Sequence, residues 1–144
     1  MEKLDEIRKS LNFYVCSNEL KNKIIDEPNN YSVADHLFGS MILATAIDSE
    51  FKETKNLSKI YRMLLLSEFS ISYPNYDFEN LKLGNQYSKE ILEARDMNTE
   101  SGKLVFKYKM LDLLLTKLIR EKENNITLSE LIKEGSAIIS SLCS

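Results

Sequence analysis

Along most of the chain, apolar residues recur every three or four positions, the spacing of amphipathic helices, and six such stretches can be marked off. The first runs from about Lys3 to about Asp26, with Leu4, Ile7, Leu11 and Tyr14 on one stripe, and Pro28 with the Asn29–Asn30 pair ends it. Ser32 opens the second, because its hydroxyl can accept an orphan backbone N–H while Asp35 stands at the third helical position. That helix continues through Ile47 to about Phe51. A third starts near Ser58, carries Ile60, Tyr61, Leu64 and Leu65, and breaks at Pro74 within "SISYPNYDF". A fourth spans roughly Glu79 to Arg95, with Gly84 a weak point, and a long fifth spans about Ser101 to Glu123. The last begins at Thr127, where "TLSE" supplies a capping box with Glu130. Its apolar face is Leu128, Leu131, Ile132, Ile138, Ile139 and Leu142.

With only four glycines and two prolines among 144 residues, the pattern predicts an all-α bundle of about six helices. That length suits one domain, residues 1–144, and no repeat or linker divides it.

Charge narrows the partners. The 19 basic and 22 acidic residues are interleaved and sum to −3, which offers no footprint for duplex nucleic acid. The longest apolar runs, "MLLL" and "LLL", are far too short to span a membrane. "MEKLDEIRKS" lacks the apolar core of a signal peptide, and Cys16 and Cys143 lie far apart with no CxxC spacing. A cytoplasmic protein with reduced thiols is expected, taking small ligands or protein partners.

Candidate chemistry rests on three polar residues in apolar company, since there is no Gly-rich phosphate loop, GxSxG or HExxH. The only histidine, His36, shares a helical face with Ser40, Leu43 and Ile47. It suits either a core histidine bonded to a backbone carbonyl or a ligand. Glu68 closes "RMLLLSE", where a carboxylate needs a cation, a donor or a raised pKa. Asp112 sits inside "MLDLLL", with Tyr108 and Thr116 as helical neighbours and Lys109 or Arg62 as candidate ion-pair partners. One histidine and two carboxylates on three helices would make a divalent-metal site if those helices converge.

The stretch "SVADHLFGSMILATAI", followed by "YRMLLLSEF" and "KYKMLDLLL", resembles the HD-domain phosphohydrolases, in particular the 5′-deoxynucleotidase branch, over roughly residues 28 to 120. The resemblance implies an HD-domain-like helical bundle, with His36 matching the first metal-ligand histidine and Asp112 the last metal-ligand aspartate. At the defining His-Asp doublet this chain has Ser67 and Glu68, and Ile71 replaces an acidic residue three positions on. The arginine that would hold a substrate phosphate is also absent, leaving Lys21 and Lys23. What the resemblance implies is therefore a degenerate relative of nucleotide phosphohydrolases, with hydrolysis reduced or lost. His36, Glu68 and Asp112 would remain as a weak site for Mn²⁺, Co²⁺ or Mg²⁺ beside a pocket for a nucleotide or other small phosphorylated molecule. The alternative is a working metal-dependent nucleoside monophosphate phosphatase. There Glu68 replaces the usual aspartate and the loop after Ser70 supplies a base from Tyr73, Asp77 or Glu79, with Glu68 and Asp77 as the catalytic pair. A third reading is a non-catalytic helical interaction module, a homodimer through an apolar helix face.

Overall fold

A computed structural model describes residues 2–51, 56–78, 81–122 and 126–143. Six α-helices are found among them: α1 (Glu2–Asn18), α2 (Val33–Phe51), α3 (Leu57–Ser72), α4 (Gly84–Arg95), α5 (Glu100–Lys122) and α6 (Leu128–Cys143). The fold is all-α, apart from two very short antiparallel strands, β1 (Ile24–Asp26) and β2 (Tyr31–Ser32), joined by a hairpin turn. No described helix is long and apolar enough to cross a membrane.

The helix starts follow local polar chemistry. Asp35 Oδ2 accepts from Ser32 N–H at 2.9 Å, and Asp35 N–H returns a bond to Ser32 Oγ at 3.0 Å, so the reciprocal box that starts α2 is complete. Asn56 caps α3 by accepting from Lys59 N–H, Thr99 Oγ1 accepts from Gly102 N–H at the head of α5, and Thr127 accepts from Glu130 N–H at the head of α6.

Helices α2, α3, α4 and α5 bury a common core in which Ala44, Met63, Leu64, Tyr108 and Leu111 have no exposed surface. Each such leucine or methionine contributes about 1.5–3 kcal/mol by leaving water. Ile138 and Ile139 of α6 pack against this core, whereas Leu128, Ile132 and Leu142 of the same apolar face are exposed. A second core gathers Leu66, Phe69, Phe78 and Ile91. Polar clasps tie α3 to α4: Arg62 holds the buried Glu90 through both carboxylate oxygens at 2.8 and 2.9 Å, Lys59 pairs with Glu93 at 2.7 Å, and Arg95 donates to Ser70 Oγ at 2.8 Å.

Three expectations are corrected. The first helix stops at Asn18 rather than near Asp26; the chain tightens into a 3₁₀ turn, Glu19–Asn22, which buries Leu20 and lets Ile24–Asp26 pair with Tyr31–Ser32. The stripe Leu4, Ile7, Leu11 and Tyr14 is not the buried face of α1, being 49% to 62% exposed. The helix is anchored instead by Phe13, whose ring lies 4.8 Å from Phe69 and 5.9 Å from Tyr76, with the half-buried Cys16 one turn on. In the third, α4 starts at Gly84, so this glycine stands at a helix start rather than weakening an interior.

Candidate functional site

Three helices converge on His36. It lies in the first turns of α2, with its ring turned inward because Ser40, Ala44 and Ile47 continue the same buried face. Glu68 lies near the end of α3 and Asp112 in the middle of α5, and all three side chains are buried. His36 Nδ1 is 2.6 Å from Asp112 Oδ2, and Nε2 is 3.6 Å from Glu68 Oε1. The spatial convergence that spacing alone left open is therefore present. Ser40 Oγ donates to the His36 carbonyl at 2.8 Å, a bond made within the helix.

The approach of α5 to α2 depends on Gly39, one turn after His36. A Cβ there would fall on Asp112 Oδ1, so only glycine leaves room for the carboxylate against the α2 backbone. Tyr31 reaches the same carboxylate from the other side, donating to Asp112 Oδ2 at 2.5 Å and accepting from Thr116 Oγ1 at 3.4 Å. The hairpin places it there. Asn30 N–H bonds to the Glu27 carbonyl at 3.1 Å, Asn30 adopts a left-handed backbone with φ 53°, and Asn29 Nδ2 donates to Asp26 Oδ2 at 2.7 Å. Asparagine tolerates that conformation, and a turn closed in this way returns the chain with a bulge between Ile24 and Asp26. Burial, then the bond to Asp112, pushes the Tyr31 phenol well above its ordinary pKa.

Lys109 completes the centre. One turn before Asp112 on α5, its Nζ lies 2.7 Å from Glu68 Oε1 and donates to Ser67 Oγ at 3.2 Å. The network thus runs Lys109, Glu68, His36, Asp112, Tyr31, with both carboxylates engaged. Asp112 pairs with neither of the cations expected for it: Lys109 serves Glu68, and Arg62 serves Glu90. The sequence pattern does not mark Tyr31 or Gly39 as site residues, and it marks Lys109 only as a candidate partner of Asp112. The lone glycine one turn after the histidine and the lysine one turn before the aspartate were the available signals.

The donor set does not fit a divalent ion. Each potential ligand already serves another protein group, and an ammonium occupies the space next to Glu68. A divalent ion within ~4 Å of that ammonium would meet a repulsion of several kcal/mol even at an effective dielectric of about 20. Among the described residues, no three His, Cys, Asp or Glu side chains are arranged to hold one metal. Of the candidate bases from the loop after α3, Tyr73 and Asp77 are among the described residues. Asp77 is exposed beside Tyr76, Tyr73 carries the Lys23 ammonium 4.7 Å over its ring, and Glu79 lies outside the described residues. Lys23 is thereby committed to Tyr73, and Ile71 is exposed.

Compared with known protein families, curated proteins and solved structures, the chain has no match.

Proposed function

We propose that the chain is a degenerate HD-like protein in which an internal cation has taken the place of a catalytic metal, and that it binds a small molecule rather than hydrolysing one. The observation that carries this reading is the 2.7 Å contact of Lys109 Nζ with Glu68 Oε1, made at the helix end where the resemblance would put a metal-ligating doublet. The helical order and the meeting of His36 with Asp112 agree with HD-like descent. Ser67 and the charge-satisfied centre agree with loss of turnover, because metal-ion catalysis needs ligands free to lower the pKa of a bound water. A half-buried free thiol, Cys16, agrees with a reducing compartment such as the cytoplasm.

The test is a calorimetric titration of chelator-treated protein with Mn²⁺ and Co²⁺, run beside the Asp112→Ala variant, with hydrolysis of a nucleoside monophosphate panel followed in parallel. The expected result is no saturable metal binding and no metal-dependent phosphate release. Saturable binding and turnover, both lost in His36→Ala and Asp112→Ala, would establish the phosphohydrolase reading instead.

A further inference from the structure

The β1–β2 hairpin stands over the C-terminal half of α5, and between them lies an open cleft of about 460 Å³. That volume falls within the range of small-molecule sites. Its walls are unlike one another. Ile25 and Leu113, 47% and 40% exposed, offer apolar surface, while Tyr31 and Thr116 bring the hydroxyls that lead inward to Asp112.

The charged lining residues are not equivalent. Asp26 is bonded to Asn29 Nδ2 at 2.7 Å, and Glu121 faces Lys117 at 3.9 Å, so both carboxylates have local partners. Arg120, on the same cleft, makes no hydrogen bond or ion pair with any described residue. A guanidinium that has no carboxylate partner among the described residues and stands beside an apolar wall is suited to an anionic head attached to an apolar body.

We infer that this cleft binds a small amphipathic anion, a phosphate or carboxylate head held by Arg120 with an aromatic or aliphatic body between Ile25 and Leu113. The inference rests on the binding reading above and names the ligand class for it. Phosphate esters and carboxylates share this chemistry, since both present paired oxygens to the guanidinium fork. The cleft adjoins the buried network only through Tyr31 and Thr116, whose hydroxyls are already bonded, so the anion stays outside the His36 centre.

The probes are phenyl phosphate, benzoate and inorganic phosphate, titrated into the full chain by calorimetry and by methyl NMR. Saturable binding of phenyl phosphate or benzoate is expected, with shifts confined to the Ile25 and Leu113 methyls and their neighbours. Inorganic phosphate, which lacks the apolar body, should bind about ten-fold more weakly or worse. Arg120→Gln, an exposed change that leaves the core untouched, should weaken phenyl phosphate about ten-fold, whereas Lys133→Gln on α6 should leave it unchanged. Whichever of the two aromatic anions binds more tightly identifies the head group and supports the site. Absence of saturable binding, or equal affinity in the Arg120→Gln variant, overturns it. Phenyl phosphate bound through Arg120 but hydrolysed with Mn²⁺ would keep the cleft and overturn the non-catalytic reading; bound and recovered intact, it supports both.

Discussion

Lys109 Nζ and Glu68 Oε1 meet at 2.7 Å between α5 and α3, with the glutamate buried and the lysine 20% exposed. Removing one member of such a pair strands the other charge, which costs more than the intact pair contributes. Lys109→Met is expected to destabilise the chain by about 3 kcal/mol in urea unfolding, and adding Glu68→Gln should recover about half of that loss. A Lys109→Met variant as stable as the parent would mean that the lysine is not the counter-ion of the centre.

Gly39 and Asp112 give a second prediction. A methyl at residue 39 has no space, because the Asp112 carboxylate is packed against the bare α2 backbone and is held there by His36 and Tyr31. Gly39→Ala, which in an open helix would be favourable by about 1 kcal/mol, should instead lower stability by roughly 3 kcal/mol. Thermal unfolding of this variant beside Gly135→Ala, where an added Cβ only reaches ordinary contact with Leu115, separates the two cases.

A third prediction concerns alkaline pH. The folded Tyr31 phenol holds its proton well above the unfolded value of about 10, through burial and its bond to Asp112. The stability this lends is full below that value and is lost as pH rises beyond it, since only the unfolded chain then gives up the proton. Tyr73 and Tyr76, also raised by burial, add in the same direction. Urea midpoints should fall above pH ~10, and fall less steeply in Tyr31→Phe. An identical slope in the variant would remove Tyr31 from the account.

Helix α1 supplies the fourth. Ile7 and Leu11 are more than half exposed, so Ile7→Gln and Leu11→Gln should each change stability by less than about 0.5 kcal/mol. Phe13→Ala takes away the ring that meets Phe69, Tyr76 and Phe78, and should cost about 2 kcal/mol. Chemical denaturation of the three variants decides between the stripe and the aromatic anchor.

That contrast marks what a sequence pattern can and cannot carry. Period and caps are local: Ser32 with Asp35 starts α2, and Pro74 closes α3 just after Ser72. Which face of a helix is buried depends on its neighbours, so the stripe from Leu4 to Tyr14 was legible as a helix while its outward direction was not. The hairpin escapes the pattern for another reason. Its strands have three and two residues, too few to show alternation, and only the "EPNN" turn signalled it. His36, Glu68 and Asp112 could be picked out as polar residues among apolar ones, and they do meet. Their pairing with Lys109 and Tyr31 joins distant parts of the chain, about which spacing is silent.

The chain of contacts from Lys109 to Tyr31 couples α5, α3, α2 and the hairpin in a single circuit. None of the three helices can open alone without parting buried ion-pair partners, and the hairpin cannot leave without breaking the Tyr31 bond to Asp112, so they should unfold as one cooperative unit. Amide protons at the centres of α2, α3 and α5 would then exchange only when the whole molecule opens. Those of α1, held chiefly by an aromatic anchor at one end, would exchange far sooner through local fraying. Protein motion, on this account, is confined to the periphery, and the centre serves as the keystone of the fold.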